Sequence, residues 1–303
     1  MTPTDQAESR GALRFAAPWI IGFGLLYAGP LIAAGVIACT SWDGLSNASL
    51  RWVGLEQFLA LADDRMFRVA LSNSVAYACV NTPFQLAAAL GLALLIHDAR
   101  RRRVWATLYY APHLLSGVAT ILIWAWLLNP QVGPVNRALR AIMTSVGLDP
   151  IRPPWLFSAT WARPSLILMN LWYVGAPMLI FLAALTRAGR GVHEAAMIDG
   201  ASRWRRFRSI TAPQLAPAIL FNALTLFITS MLNFEQAYLL LNWQQDNALL
   251  FSTVYMYQTA FERHRFAFAL AQGLALLAML SLASIAALVL GRRFVTYDFE
   301  EAA

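Results

Sequence analysis

Six long stretches of the chain contain no Asp, Glu, Lys or Arg, and each is long enough to cross the hydrocarbon core of a bilayer. Leu, Ala, Ile and Val dominate all six. A soluble protein can bury one helix this apolar, but six in 303 residues are typical of a membrane protein. The sequence therefore predicts an all-α, polytopic membrane protein with six transmembrane helices, at 15–38, 69–96, 105–128, 164–186, 212–234 and 266–290.

The distribution of positive charge predicts the orientation of these spans. All 23 basic residues are Arg, and with the N-terminus inside, 14 of them lie in the inward-facing segments 1–14, 97–104, 187–211 and 291–303. Cytoplasmic loops carry such an excess in membrane proteins. Both termini are therefore predicted to be cytoplasmic, and the absence of Lys, a mark of a GC-rich bacterial genome, favours a bacterial cytoplasmic (inner) membrane. The basic excess indicates topology and a lipid bilayer as partner, with no nucleic acid.

This topology predicts one six-span membrane domain at 15–290, between cytoplasmic tails at 1–14 and 291–303. The segment 36–39 resembles a lipoprotein cleavage box, which leaves cleavage as an alternative for the first span. That apolar stretch is longer than a typical signal sequence and carries two prolines, Pro18 and Pro30. Outside the membrane, apolar spacing over 50–68 favours an amphipathic helix on the surface.

The residue inventory argues against catalysis by this chain. A chain without Lys has no standard P-loop, because the P-loop Lys contacts the nucleotide phosphates. The four His residues are scattered over separate segments, and no nucleophile–base set or metal-ligand cluster is visible. We therefore expect a non-enzymatic chain that binds no metal and no cofactor, and any ATP hydrolysis would belong to another chain.

The longest inward-facing loop, 187–213, has a helix-forming sequence that is interrupted once. Gly200 is a natural helix stop, and Ser202 is suited to cap a second helix. Pro213 and Pro217 stand where the fifth span is expected to begin. The sequence predicts a short helix, a tight turn, a second helix and then the membrane.

The first of these helices presents small residues between acidic ones. Ala195 and Ala196 allow close approach to a groove, and Glu194 and Asp199 offer acceptors for a partner's Arg or backbone N–H groups. On physical grounds alone, a solvated helical hairpin without a partner explains this pattern equally well.

The pattern over 194–213 extends these features. It comprises Glu-Ala-Ala at 194–196, Asp-Gly-Ala at 199–201 and Arg-Phe-Arg-x-Ile-x-x-Pro at 206–213. It resembles the EAA loop of binding-protein-dependent ABC importer permeases. Segments 52–58, 108–112, 124–130, 178–185 and 255–261 resemble the carbohydrate-uptake subgroup, so the resemblance covers residues 15 to 297.

The resemblance implies a type I ABC importer permease fold with a cytoplasmic coupling helix. The residues that match the coupling motif are Glu194, Ala195, Ala196, Asp199 and Gly200. The implied partners are a second homologous permease subunit, an ATP-binding subunit dimer that uses ATP and Mg, and an extracytoplasmic substrate-binding protein. The implied cargo is a sugar or a glycerol-phosphate-type solute.

The sequence departs from the family pattern in two places. Ala188, Gly189 and Gly191 replace the usual residues before the motif, and 242–247 lacks the family's Gly-Gly-Pro turn. The second departure affects the expected docking surface for a binding protein.

Polar residues inside apolar spans are the candidates for a translocation pathway, because exposure to lipid would be costly for them. In the fifth span, Asn222, Thr225 and Thr229 follow i, i+3, i+7 spacing and share a helix face. Amides suit sugar hydroxyls, and aromatic rings suit the apolar faces of a sugar. The candidates are Trp172, Tyr173, Asn222, Thr225, Thr229, Ser230, Asn233 and Glu235. The alternative role for such residues is interhelical packing.

An ion- or proton-coupled secondary transporter of small polar solutes is the competing hypothesis. Such a transporter would normally place acidic residues at the bilayer midplane. Only Glu235 comes close, and it lies at the edge of a span.

Overall fold

The computed structural model describes residues 15–46, 50–187, 196–241 and 247–291, and these are mostly helical. No strand occurs within these ranges, where a single isolated bridge pairs Thr40 with Trp52. In chain order the helices are α1 (Phe15–Ala38), α2 (Glu56–Asp63), α3 (Arg65–His97), α4 (Arg102–Tyr110), α5 (Gly117–Leu127), α6 (Pro134–Ser145), α7 (Ala159–Asn170), α8 (Gly175–Arg187), α9 (Arg203–Leu241), α10 (Ser252–Tyr257) and α11 (Phe266–Gly291).

The all-α prediction and the span count are confirmed. Four helices, α1, α3, α9 and α11, are each long and apolar enough to cross a membrane, and two bent helix pairs bring the number to six if each pair is one span. These four spans contain the predicted stretches at 15–38, 69–96, 212–234 and 266–290, and within α9 the residues 232–234 are not helical. The helices α3 and α9 begin before the predicted stretches, because arginines near their starts end the charge-free sequence.

The third span is not the single helix that the sequence predicted. A 3₁₀ turn at Ala111–Leu114 follows α4, and the axis then bends by 97° before α5. Leu115 and Ser116 have extended backbones, with ψ of 146° and 135°. Pro112 provides no N–H to the helical ladder, which favours a helix break here.

The fourth span also breaks, and it begins earlier than predicted. A 3₁₀ turn at Leu171–Tyr173 separates α7 from α8, and the axis bends by 49°. Pro177 lies in the first turn of α8, where the fixed φ of proline is tolerated. The span begins at Ala159, because Arg163 lies inside the helix although the charge-free criterion excluded it.

Arg163 is accommodated because the protein supplies its hydrogen-bond partners. Its Nε donates to the carbonyl oxygen of Ala248 at 3.1 Å, and its Nη2 donates to the side-chain oxygen of Asn73. The Asn73 amide nitrogen donates in turn to the carbonyl oxygens of Asn247 and Leu250. This cluster joins α3, α7 and the segment before α10, and such partners offset the cost of removing a partly buried charge from water.

The fifth span differs from prediction at its start. We expected a separate second helix and a new start near Pro213, but the helix runs from Arg203 into the span without interruption. A π-turn at Phe207–Thr211 lies directly before Pro213, with the N–H of Ala212 bonded to the carbonyl of Phe207. Because Pro213 has no N–H, the wider turn removes the conflict between its ring and the preceding carbonyls.

The chain divides into two compact units. One comprises residues 1–67 and 256–278, where the Trp42 ring packs edge-on against Phe266 at 5.3 Å between centroids. The other comprises residues 68–255 and 279–303, and it contains a hydrophobic cluster formed by α3, α8 and α9. The prediction of one permease domain at 15–290 stays a prediction.

Gly175 is required where α8 begins, because an added Cβ would overlap the carbonyl of Tyr109 in α4. We expect Gly175→Ala to lower the free energy of unfolding by about 1–3 kcal/mol, since the opposing atoms belong to the backbone and cannot rotate away. Thermal unfolding of the purified chain in detergent measures this effect.

Gly91→Ala is the matched control, because an added Cβ at this helical position meets no atom within 4 Å. It should be neutral or slightly stabilising. Equal losses in the two variants would contradict the close approach of α8 to α4.

Candidate functional site

A cavity of about 660 Å³ lies among α3, the broken third and fourth spans, and α9. All its lining residues belong to the unit formed by 68–255 and 279–303. Its polar lining consists of Tyr77, Asn81, Gln85, His113, Asn170, Tyr173, Asn222, Thr225, Thr229, Ser230, Asn233, Glu235 and Gln236. A volume of this size is typical of small-molecule sites.

Both helix breaks contribute to the wall of the cavity. Leu115 and Gly117 come from the bend of the third span, and Tyr173 and Ala176 flank the break in the fourth. Irregular backbone at membrane depth is stable only inside protein or beside a water-filled cavity. The two breaks therefore lie beside the cavity, where their irregular backbone is tolerated.

One hydrogen-bond network crosses the cavity wall from α3 to the end of α9. The Asn170 amide nitrogen donates to the Tyr77 hydroxyl and to the Gln236 side-chain oxygen. Asn233 donates to the same Gln236 oxygen at 2.9 Å, and Gln236 donates back to Asn170. The network therefore fixes the orientation of four side chains that line the cavity.

A second set of contacts joins α9 to its neighbours. The Asn81 amide donates to the Ser230 hydroxyl at 2.9 Å, and the Asn222 amide donates to the carbonyl of Pro177 at 3.2 Å. Asn81, Asn222 and Ser230 are all buried. These residues therefore act in interhelical packing as well as in the cavity wall.

Thr225 and Thr229 differ from these buried residues because they are exposed. Their hydroxyls donate to the carbonyls of Phe221 and Thr225, one turn earlier in the same helix, at 2.9 Å each. A hydroxyl oxygen that donates in this way still has lone pairs to accept a hydrogen bond. These two side chains therefore offer acceptors to a solute in the cavity.

The lining of the cavity carries little charge and includes a cluster of aromatic rings. Among the lining residues that the structure describes, Glu235 is the one carboxylate and there is no Arg. Its carboxylate lies against Gly117, where an added Cβ would overlap it. His113 stacks on Tyr110 at 5.2 Å and meets Tyr173 edge-on at 5.4 Å. The cavity thus combines amides, hydroxyls and one aromatic wall.

The structure brings most of the predicted pathway residues together. Those that line the cavity are Tyr173, Asn222, Thr225, Thr229, Ser230, Asn233 and Glu235. Trp172 does not line it, and its ring packs edge-on against Trp124 at 5.8 Å. Adjacent side chains of the 3₁₀ turn point in different directions, so Tyr173 reaches the cavity and Trp172 does not.

The sequence analysis did not select Tyr77, Asn81, Gln85 or Gln236. Tyr77, Asn81 and Gln85 follow i, i+4, i+8 spacing and form a polar stripe on one face of α3. That stripe was a signal available in the sequence. Gln236 follows Glu235 at the edge of the span and carried no comparable pattern.

The coupling motif is described only from Ala196 onward, and Glu194 and Ala195 lie outside the described residues. Residues 196–198 are helical, and Gly200 has a positive φ of 74°. The N–H of Gly200 bonds to the carbonyl of Met197, and the N–H of Ala201 bonds to that of Ala196. These two bonds form a Schellman motif, which ends the helix at Asp199.

The second predicted cap is also present. The Ser202 hydroxyl accepts a hydrogen bond from the N–H of Arg205 at 3.3 Å. Ser202 therefore caps the start of α9, as the sequence predicted. The tight turn between the two helices consequently spans only a few residues.

No group of three or more His, Cys, Asp and Glu residues suited to a metal ion occurs in the part of the chain that the structure describes.

Comparison with known families identifies the chain. The family described as the binding-protein-dependent transport system inner membrane component matches residues 85–296, which is most of the chain. The chain belongs to this family.

Curated relatives agree with this membership. The probable ABC transporter permease protein YesP of Bacillus subtilis is 31% identical over 95% of this chain and 92% of its own length. The lactose transport system permease protein LacF of Rhizobium radiobacter is 29% identical, over 82% of each chain. The galactooligosaccharides transport system permease protein GanP of B. subtilis is 30% identical over 73% of this chain and 54% of its own.

A solved structure shows the same fold. A chain of a bacterial alginate ABC transporter, crystallised in complex with an alginate pentasaccharide-bound periplasmic protein, aligns with a TM-score of 0.80 at 24% identity. The alignment covers 97% of this chain and 98% of that one. The fold is that of a type I ABC importer permease.

The chain is therefore a transmembrane permease subunit of a binding-protein-dependent ABC importer, an inner membrane component. Its family consists of transport subunits, which agrees with the expected non-enzymatic role. The alternative of an ion- or proton-coupled secondary transporter is not supported.

Cysteine labelling tests whether the cavity is water-filled. In a Cys39→Ser/Cys79→Ser background, Thr229→Cys should react about tenfold faster than Trp172→Cys with a charged thiosulfonate reagent. The reason is that the reactive thiolate forms only where it is solvated. Both positions are substantially exposed in the isolated chain, so lipid rather than burial would protect position 172. Equal rates would contradict the aqueous cavity.

Proposed function

We propose that this permease subunit carries an uncharged saccharide. The observation that supports this cargo is the lining of the cavity, where the described residues supply amides, hydroxyls and aromatic rings with one carboxylate and no Arg. Amides and hydroxyls exchange hydrogen bonds with sugar hydroxyls, and aromatic rings pack on the apolar faces of a sugar. Relatives named for lactose and galactooligosaccharides transport have a cargo of this class, whereas the structurally similar alginate transporter has an acidic one, so the lining of the cavity alone carries the choice.

The same lining argues against a glycerol-phosphate-type solute. Phosphates and carboxylates in proteins are bound chiefly by Arg, by Lys or by groups of backbone N–H donors. The carboxylate of Glu235 would repel an anion in the cavity instead. Among the two solute classes that the sequence suggested, the neutral sugar is therefore the better fit.

ATP hydrolysis belongs to separate chains in this proposal. The sequence contains no Lys, so a standard P-loop is absent, and ATP with Mg would be used by a dimer of ATP-binding subunits. A second homologous permease subunit would supply the other half of the pathway. An extracytoplasmic binding protein would deliver the saccharide.

The loop around the EAA motif would dock on the ATP-binding subunit. Met197 and Ile198 are 52% and 88% exposed beside Gly200, so an apolar surface is free for a partner. Glu194, Ala195, Ala196 and Asp199 complete the proposed contact. Closure of the ATPase would then move α9 and switch the cavity between inward- and outward-facing states.

The proposed orientation places both termini and this loop in the cytoplasm. The arginine run at 100–103 and the arginines at 203–208 would lie on the same side, as the positive-inside rule requires.

Substrate-stimulated ATP hydrolysis by the complete transporter in proteoliposomes tests the function. Neutral oligosaccharides with the matching binding protein should stimulate hydrolysis, whereas uronate oligosaccharides and glycerol 3-phosphate should not.

Thr229→Trp, which fills the cavity, should reduce uptake on the order of tenfold. Thr107→Trp is the matched control, because Thr107 is exposed on α4 and is not a lining residue. Stimulation by anionic solutes alone would overturn the proposed cargo, and uptake driven by a proton gradient without ATP would overturn the importer.

Gly200 tests the coupling role. Gly200→Val should reduce stimulated ATP hydrolysis by about tenfold or more, because a side chain at positive φ destabilises the turn by about 1–2 kcal/mol and a β-branched one by more. Gly200→Asn should retain most of the activity, because Asn tolerates this conformation. Membrane insertion of both variants should be normal. Full activity of Gly200→Val would contradict the coupling role of this turn.

A further inference from the structure

A second groove, of about 270 Å³, lies between α4 and α8, away from the substrate cavity. Arg102, Arg103 and Ala106 of α4 form one side, and Leu179, Leu182, Ala183 and Thr186 of α8 form the other. No residue of this groove belongs to the cavity lining. The role of the groove is therefore separate from the proposed saccharide pathway.

The groove has a charged end and an apolar floor. The two arginines stand at the start of α4, and Leu179 and Leu182 lie one turn apart along α8. Neither Arg102 nor Arg103 has a carboxylate partner in the described part of the chain. The nearby carboxylate of Asp98 contacts His97 at 2.8 Å. The guanidinium groups are therefore available to an anion.

The packing of α4 on α8 explains why a gap exists at this end. The two helices touch at the opposite end, where Gly175 meets the carbonyl of Tyr109. Ala106, Ala183 and Thr186 have short side chains, so the space between the helices near the arginines stays open. The result is an open groove between the two helices near Arg102 and Arg103.

We propose that this groove binds an anionic phospholipid, with the phosphodiester on Arg102 and Arg103 and an acyl chain along Leu179 and Leu182. Basic pockets between transmembrane helices on the cytoplasmic side are suited to anionic lipid head groups. A free phosphate would leave the apolar floor uncovered, and an acidic peptide would place further charges on that apolar floor. The inference rests on the orientation proposed above, which places the arginines at the inner leaflet.

A lipid in this groove would affect the coupling loop. The helix α8 ends at Arg187, and the EAA loop follows directly. A lipid that bridges α4 and α8 would hold the loop end of α8 against the third span. The inner-leaflet composition would thereby alter the movement that the ATPase must drive.

The test uses the full chain, purified in detergent, and measures the dissociation constant of phosphatidylglycerol labelled on its acyl chain. We expect Arg102→Gln/Arg103→Gln to weaken binding about 10- to 30-fold, because each arginine near an anionic head group contributes about fivefold. The matched control is Arg100→Gln/Arg101→Gln, which removes the same charge from the same run but from residues that do not line the groove. It should change the constant by a small factor only.

Two further arms distinguish the ligand. Ala183→Trp keeps both arginines and fills the exposed side of the groove, so it should also weaken binding. Labelled phosphatidylcholine should bind much more weakly than phosphatidylglycerol, and inorganic phosphate should compete poorly.

Equal effects of the two arginine pairs would overturn the site, because binding would then reflect general charge. Effective competition by inorganic phosphate would indicate a phosphate site without a lipid, and equal binding of phosphatidylcholine would remove the role of the arginines. Unchanged melting temperatures exclude unfolding as the cause. The assay requires neither transport nor partner subunits, so its failure would leave the proposed importer function intact.

Discussion

The bilayer leaves a backbone N–H or C=O group no water to bond, so each break in a transmembrane helix needs protein or a hydrated cavity beside it. The structure meets this constraint by placing its two bent spans against each other and around one cavity. The third span bends where Leu115 and Ser116 are extended, and the fourth breaks after Tyr173. The polar side chains of α3 and α9 surround the same space. The irregular backbone and the candidate pathway thus share one physical cause.

Much of the architecture could be predicted from sequence because the cost of placing charge in lipid is large. Charge-free stretches locate all six spans, but they do not reveal where a span bends. The bend at Gly175 depends on contact with Tyr109, which is far away in sequence. Likewise, the predicted fourth span begins only after Arg163, because a charged residue ends a charge-free stretch. The hydrogen-bond partners that stabilise Arg163 inside the helix, Asn73 and Ala248, are 90 and 85 residues away in sequence. Local pattern carries no information about such pairs.

The site was predictable to the extent that helical spacing determines it. The i, i+3, i+7 positions of Asn222, Thr225 and Thr229 do share the cavity face of α9. The network of Tyr77, Asn170 and Gln236 was not predictable, because each member lies on a different segment. Trp172 and Tyr173 are neighbours in a 3₁₀ turn, and composition alone does not tell which ring faces the solute. The loop turn was simpler, since Gly200 and Ser202 determine it locally.

The π-turn at Phe207–Thr211 sets the angular register of α9. Such a turn is one residue longer than its α-helical counterpart, and one residue corresponds to about 100° of rotation around the helix axis. The face that α9 presents at Arg203–Arg206 is therefore offset from the face that carries Asn222 and Thr229. Deleting one residue from the π-turn would convert it to regular helix and keep every side chain of both regions. It would nevertheless rotate one region by about 100° relative to the other. The relative orientation of the two ends of α9 thus depends on the number of residues between them as well as on their identity.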